Sequence, residues 1–215
     1  MEQKHKVFNL IILDESGSME SIKKPTINAF NELVQTTKEI ERRYPQQQHF
    51  ISLTTFNGLG IKEILINEPV EHLSPIDEQV YNPISMTPLF DSMGLCITKL
   101  RHHVKYMDRY NVLVTILTDG EENNSKEYTR SMIKTLVSEL SSENWTFTYI
   151  GANHDVMDSA SSISITNILV FEASSMGMNH ILDLEKRARM RFSQRIQDGD
   201  IEMNNFFYDE LGDKV

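Results

Sequence analysis

The stretch that decides the fold is VFNLIILDESGS, residues 7–18. It opens with a short apolar run containing several β-branched residues, which is typical of a strand buried inside a sheet. A second stretch of the same kind, VLVTILTDG, occupies residues 112–120. In each stretch a carboxylate, Asp14 or Asp119, lies at the end of the apolar run. Open α/β sheets bind ligands at the carboxyl ends of their strands, so both stretches predict a functional site at that edge.

Predicted strands and helices alternate along the rest of the chain. Further strands are predicted at 50–56, 61–66, 145–150 and 167–171, and helices at 25–43, 89–107, 126–143, 155–162 and 177–197. This alternation predicts an α/β fold in which helices cover both faces of a mainly parallel sheet. Asn57-Gly58 is a tight-turn signal, and it favours an antiparallel hairpin at one edge of the sheet.

The length of the chain, 215 residues, is enough for one domain with a sizeable core. We predict three parts: an α/β domain at 1–175, an amphipathic helix at 176–199 that packs on or extends it, and an acidic and aromatic tail at 200–215.

Composition narrows the classes of function. The formal net charge of −10 argues against a nucleic-acid-binding protein, and it suits either solubility or cation binding. Cys96 is the only cysteine, so an intrachain disulfide is impossible, which is consistent with a reducing compartment. We find no signal peptide and no apolar segment approaching the roughly 20 residues of a membrane span. A soluble, cytoplasmic protein without membrane contact is therefore expected.

Oxygen-bearing side chains cluster after the two strands. Ser16 and Ser18 alternate after Asp14, so all three can face one point, and Gly17 between the serines is expected to free the backbone. Asp119 follows the second strand, and Thr87 offers a further hydroxyl. Carboxylates and hydroxyls are ligands for a hard cation such as Mg²⁺, and the absence of His or Cys beside them disfavours zinc.

Each of these residues also has a purely structural interpretation. Thr87 precedes Pro88 and could cap a helix, whereas Asp14 and Asp119 could belong to ordinary turns. Two carboxylates about 4 Å apart would repel by roughly 4 kcal/mol at an effective dielectric near 20. A fold that brings Asp14 and Asp119 together would therefore need a cation or a shared proton.

Two neighbouring features leave alternatives open. Glu15 alternates with the ligand positions and is expected to point away from them. The segment 121–124, EENN, either tunes the affinity for a cation or forms a solvated loop that opens the next helix.

In this order the residues resemble the metal-ion-dependent adhesion site of von Willebrand factor type A (VWA) domains. The five metal positions of that family match Asp14, Ser16, Ser18, Thr87 and Asp119, and the resemblance covers about residues 6–172. It implies a Rossmann-like three-layer α/β/α sandwich whose six-stranded sheet has five parallel strands and one short antiparallel edge strand. It further implies bound Mg²⁺, with Mn²⁺ or Ca²⁺ as substitutes.

The resemblance also implies roles for these residues. Ser16 and Ser18 would bind the metal directly, Thr87 and Asp119 would exchange direct and water-mediated contact, and Asp14 would act through water. A Glu or Asp of a partner protein would take the remaining coordination position. The chain looks like a stand-alone bacterial member of the family, and such members tend to serve as scaffolds or adaptors.

Two hypotheses of function follow. The first is a non-catalytic, metal-dependent protein-interaction module with no catalytic or cofactor-binding residues. The second is a Mg²⁺-dependent phosphohydrolase with Asp14 as nucleophile and Asp119 as metal ligand, although Ser16 stands where such enzymes carry a second acid. The sequence contains neither a P-loop nor a Gly-rich dinucleotide motif, and it leaves the partner and the oligomeric state open.

Overall fold

The structure is a computed structural model that describes residues 3–119, 121–152, 155–172, 174–200 and 205–208. The strands are β1 (His5–Asp14), β2 (Gln47–Asn57), β3 (Gly60–Pro69), β4 (Tyr110–Thr118), β5 (Trp145–Ala152) and β6 (Asn167–Phe171). The helices are α1 (Lys23–Arg43), α2 (Leu89–Val104), α3 (Arg130–Ser141), α4 (Val156–Ser162) and α5 (Ser175–Asp198). Short 3-10 helices span Gly17–Ile22 and Val70–His72.

The strands form one six-stranded sheet in the order β3-β2-β1-β4-β5-β6. All neighbouring pairs are parallel except β2 and β3, which form the predicted antiparallel hairpin at the edge. The predicted α/β class with a mainly parallel sheet is therefore confirmed. The edge strand is longer than expected, because β3 runs for ten residues.

Side chains of β1 alternate between two cores, one on each face of the sheet. Val7, Ile11 and Leu13 contribute to a core that also takes buried residues of α1 and α5. Phe8 and Ile12 contribute to a second core that is shared with α2, α3 and α4. Because β1 is apolar on both faces and lies in the middle of the sheet, its carboxyl end is held rigidly between two layers of helices.

The main differences from the predicted elements lie at the helix ends. The helix predicted at 126–143 begins only at Arg130, because Thr129 is its N-cap and accepts a hydrogen bond from the Met132 N–H. The helix predicted at 89–107 ends at Val104. Both shortened segments lengthen the loops at the sheet edges.

Helix α5 packs against α1 and β6, and a buried arginine on it, Arg189, bonds it to the sheet. The Arg189 guanidinium bonds Glu185 on its own helix at 2.7 Å, Asn9 of β1 at 3.0 Å and Thr115 of β4 at 2.7 Å. Beyond α5, Phe206 and Phe207 are buried against the core. The rest of the predicted tail, 201–204 and 209–215, lies outside the described residues. Among the helices described, none is both long enough and apolar enough to cross a membrane.

Candidate metal centre

The two predicted carboxylates lie at the carboxyl ends of adjacent central strands. Strands β1 and β4 are parallel neighbours whose last paired residues are Leu13 and Leu117. Asp14 ends β1, and Asp119 follows the end of β4. The sheet topology therefore brings both to one edge, as the sequence predicts.

A chain of hydrogen bonds connects the first loop with Asp119. The Ser16 N–H donates to Asp14 Oδ1 at 2.7 Å, and the Ser16 and Ser18 hydroxyl oxygens lie 3.3 Å apart. The Ser18 hydroxyl donates to Asp119 Oδ1 at 2.6 Å. Asp14, Ser16, Ser18 and Asp119 therefore form one continuous polar group.

Thr118 and Tyr81 also hold Asp14, and neither was predicted as a site residue. The Thr118 hydroxyl donates to Asp14 Oδ2 at 2.5 Å, and the Tyr81 hydroxyl donates to the Asp14 carbonyl at 2.6 Å. Thr118 was visible as the last residue of an apolar strand. Tyr81 comes from the irregular segment after β3, so no spacing rule connects it to Asp14.

Thr87 lies in the loop that precedes α2, two residues before Leu89. Its N–H donates to Asn123 Oδ1 at 3.0 Å, and its carbonyl accepts from the Asn123 N–H at 3.2 Å. The N-cap position of α2 belongs to Pro88 rather than Thr87, so the capping alternative for Thr87 is not observed. Thr87 is buried and tied to the loop that carries Asp119.

Glu15 points away from the polar group formed by Asp14, Ser16, Ser18 and Asp119, as predicted. Its side chain is completely buried. One carboxylate oxygen accepts from Thr55 at 3.1 Å and from the Lys62 ammonium at 3.0 Å, while the other accepts from the Asn82 N–H at 2.7 Å. Glu15 therefore connects the Asp14 loop to the β2–β3 hairpin and to the loop that precedes Thr87.

In the segment 121–124, Glu121 and Asn123 are exposed, whereas Glu122 anchors the segment to α2. Its carboxylate accepts from the Phe90 N–H at 2.8 Å and from the Ser125 hydroxyl at 2.7 Å. In the opposite direction, the Asp91 carboxylate of α2 accepts a hydrogen bond from the Tyr128 N–H of the loop at 2.7 Å. The loop that carries Asp119 and the start of α2 are thereby joined into one unit.

The prediction that Gly17 gives the backbone unusual conformational freedom is wrong. Among the described glycines, only Gly60 and Gly199 have a positive φ. A Cβ at Gly17 would meet Ser85 O at 3.5 Å, which is ordinary contact. Gly17 therefore needs neither an unusual backbone conformation nor an absent side chain.

Both carboxyl groups resist ionisation. Burial raises the pKa of Asp14 to about 6, against hydrogen bonds from Thr118 and Ser16. The neighbouring Asp119 also raises the pKa of Asp14, but its contribution is the smallest. Burial likewise raises the pKa of Asp119, against the hydrogen bond from Ser18. The free energy that opposes two anions here comes mainly from desolvation and less from the mutual repulsion considered above.

The donor set fits a hard divalent cation. It offers carboxylate and hydroxyl oxygens, and Asp14 makes no ion pair with any described Lys or Arg. The described residues contain no group of three or more His, Cys, Asp or Glu side chains, so a zinc-type cluster is absent there. Gly120, the last residue of the second motif, lies outside the described residues. A cation would stabilise the buried Asp14 and the half-buried Asp119 at once.

No protein-family model matches the sequence, and no curated protein matches it. Solved structures do match. The von Willebrand factor type A protein from Catenulispora acidiphila is similar with a TM-score of 0.60 and 14% identity, over 87% of this chain and 43% of that one. The open conformation of the pilus adhesin SpaC from Lactobacillus rhamnosus GG gives a TM-score of 0.62 at 11% identity, over 89% and 31%.

A third similar structure is the manganese-loaded TRAP protein of Plasmodium vivax, with a TM-score of 0.52 and 14% identity over 84% of this chain and 71% of that one. The fold is that of a von Willebrand factor type A domain. Identities this low show the VWA fold alone, and this chain spans less than half the length of the first two proteins.

Proposed function

We propose that this chain is a non-catalytic, metal-dependent protein-interaction module, an adaptor or scaffold. Asp14, Ser16, Ser18, Thr87 and Asp119 form a complete adhesion-type site that would hold Mg²⁺, with Mn²⁺ or Ca²⁺ as substitutes. When bound, the cation supplies a positive centre for a Glu or Asp of a partner protein. The cytoplasmic location and the stand-alone bacterial type remain predictions.

One observation carries this proposal: a buried Asp14 without a cationic side chain is joined to Asp119 through the Ser16 N–H and the Ser16 and Ser18 hydroxyls. Burial destabilises the anionic form of such a group, and a bound cation would offset that cost. The VWA fold of the similar structures, one of them described as manganese-loaded, supports the choice of a divalent metal.

The phosphohydrolase hypothesis has weaker support. Both carboxylate oxygens of Asp14 accept hydrogen bonds, one from Ser16 and one from Thr118, as suits a carboxylate that orients other groups. A nucleophile would need one oxygen directed at a substrate. Ser16 also leaves the position of the second acid without a titratable side chain.

The first test measures binding of Mn²⁺ and Mg²⁺ to the wild type, Thr87→Ala and Thr98→Ala by calorimetric titration. Thr98 is an exposed threonine in the middle of α2 and is the matched control. We expect Thr87→Ala to bind the metal about 10- to 100-fold more weakly and Thr98→Ala to bind it normally. Equal affinity in all three proteins would contradict the assigned site.

The second test is affinity capture with the same three proteins, in Mg²⁺ and again in EDTA. We expect partners that the wild type and Thr98→Ala retain only in Mg²⁺, and that Thr87→Ala loses. Partners that are retained equally in EDTA and by Thr87→Ala would refute the metal-dependent interaction. Mg²⁺-dependent turnover of an aryl phosphate that Asp14→Asn abolishes would favour the enzyme instead.

A further inference from the structure

Exposed apolar side chains collect on one side of the candidate metal centre. Leu59, at the tip of the β2–β3 hairpin, is 77% exposed. Ile84 and Met86, in the loop that leads to Thr87, are 48% and 55% exposed. We name these three residues the apolar rim. Single exposed apolar residues are ordinary on soluble proteins, whereas a contiguous group marks an interaction surface.

The hairpin tip and the loop are in contact. Gly58 packs so closely on the loop that a Cβ there would clash with Ser85 Oγ and lie 2.9 Å from the Met86 nitrogen. Leu59 follows Gly58 directly, and Ile84 and Met86 flank Ser85. The three exposed residues therefore lie on two segments that are in direct contact.

The apolar rim also borders the candidate metal centre. The Ile84 N–H donates to the Glu15 carbonyl at 2.8 Å, and the Gly17 N–H donates to the Ser85 carbonyl at 3.0 Å. Met86 directly precedes Thr87. A partner segment that reaches the metal centre with a carboxylate would place neighbouring side chains over this rim.

The loop is held in place, so the apolar rim is preformed. Ser85 has a φ of 72°, a left-handed conformation that few residues other than glycine adopt. The two hydrogen bonds to residues 15 and 17, and the one from Asn82 to buried Glu15, stabilise this conformation. A preformed surface loses less conformational entropy on binding than a loose loop would.

Charge decides which side of the partner faces the apolar rim. On the β5 side of the centre, Glu121 and Asp155 line the same small cleft as Asp119. The adjoining cavity adds Glu122 and Asp158 against one cation, Arg130, so this side carries a net negative charge. The apolar rim itself contains no charged side chain. A partner segment that carries an acid is repelled on the acidic side and accepted on the apolar side.

We propose that the apolar rim selects the partner: the recognised segment carries an Asp or Glu together with large apolar side chains, which lie on Leu59, Ile84 and Met86. This inference depends on the proposed function, because the acid binds through the cation. It adds the chemistry of the residues beside that acid.

A random peptide library displayed on phage tests the proposal on the full chain. Selections in Mg²⁺ would use the wild type, Ile84→Gln and Ile66→Gln. Ile66 is the matched control because it is also 48% exposed, but it lies along β3 beside residues 51–53, away from the ends of the central strands. Met86→Gln provides a second, independent change in the apolar rim.

We expect the wild type and Ile66→Gln to enrich peptides with an acid and large apolar residues. Ile84→Gln and Met86→Gln should keep the acid but lose the apolar preference. A synthetic peptide from the wild-type selection should bind either rim variant about tenfold more weakly, because part of an apolar side chain then stays in water.

The other outcomes separate the two proposals. Acid-bearing peptides without apolar preference, or the same apolar preference in both rim variants, would overturn the apolar rim and leave the metal-dependent function standing. Peptides that bind equally in EDTA, or no enrichment at all in Mg²⁺, would overturn both. Weakened Mg²⁺ binding by both rim variants would also overturn the apolar rim, because the loss of peptide binding would then follow from the loss of the metal.

Discussion

At the scale of single residues, Asp14 determines the chemistry of the candidate centre. It is fully buried, its carboxylate accepts from Ser16 and Thr118, and its pKa is raised to about 6 by burial. Burial therefore raises the free energy of its ionised form when no cation is nearby. Its two hydrogen bonds fix the direction of its oxygens. Asp14 is best suited to orient the ligands around a metal.

Replacing Asp14 by Asn removes the charge and keeps an oxygen that can accept from Ser16. We expect Asp14→Asn to bind Mg²⁺ about 10- to 100-fold more weakly, as when a supporting carboxylate is lost. Its unfolding temperature in EDTA should not fall, because a buried charge is lost as well. Asp158→Asn, which removes an exposed charge near the centre, is the control for net charge. A normal Mg²⁺ affinity of Asp14→Asn would contradict this role.

His49 makes the stability of the fold depend on pH. Burial, together with the nearby charges of Arg189 and His5, lowers its pKa to about 3. The unfolded chain takes up a proton near pH 6.5, whereas folded His49 stays neutral, so the stability that it contributes above that pH is lost as the pH falls towards 3.

Urea unfolding of the wild type and His49→Gln at pH 7 and pH 5 measures this contribution. Between the two pH values the wild type should lose about 2 kcal/mol more free energy of unfolding than the variant. Comparing the two proteins cancels the other titrating groups, including Asp14, whose raised pKa acts in the opposite direction. Parallel pH profiles would show that His49 is not held neutral.

At the scale of elements, the candidate centre is built by loops that hydrogen bonds join in pairs. Glu15 joins the Asp14 loop to the hairpin, and Asn123 joins the Asp119 loop to Thr87. Hydrogen bonds made by Glu122 and Asp91 then join the Asp119 loop to the start of α2. The proposed ligands are thus positioned by hydrogen bonds from groups outside the set, which is how precise metal sites are usually supported.

Asn123→Ala tests this support directly. It removes the side-chain oxygen that accepts from the Thr87 N–H, so Thr87 should lose its fixed position. We expect a loss of about tenfold in Mg²⁺ affinity by calorimetry with the fold retained. Asn124→Ala is the matched control because its backbone N–H, which the substitution keeps, makes the bond to Glu122. Similar losses in both variants would point to a general loosening of the loop.

The residues of these loops could be predicted from the sequence only in part. Spacing predicted the convergence of Asp14, Ser16, Ser18 and Asp119, because strand ends and alternating side chains follow local rules. Tyr81 and Glu122 could not be predicted, since their partners are distant in sequence and belong to segments without periodicity. Gly17 was assigned its role from its type alone, and its backbone conformation proved ordinary.

At the scale of the whole molecule, the alternation of strands and helices was sufficient to predict the layers and the position of the hairpin. The sheet order places β1 and β4 side by side in the centre, which is the one topological fact that the candidate centre requires. The anchoring of α5 through Arg189 was not predicted, because a basic residue among several on an amphipathic helix gives no sign of burial. Charged residues are almost never fully buried unless they are paired.

The central claim is that three loops hold one divalent cation, and diffraction from crystals grown in Mn²⁺ tests it most directly. The account predicts a single anomalous peak at the manganese edge, within bonding distance of the Ser16 and Ser18 hydroxyls and beside Thr87 and Asp119. The peak should be absent from crystals of Ser16→Ala. No peak at that place, or a peak only among Glu121, Asp155 and Asp158, would contradict the account.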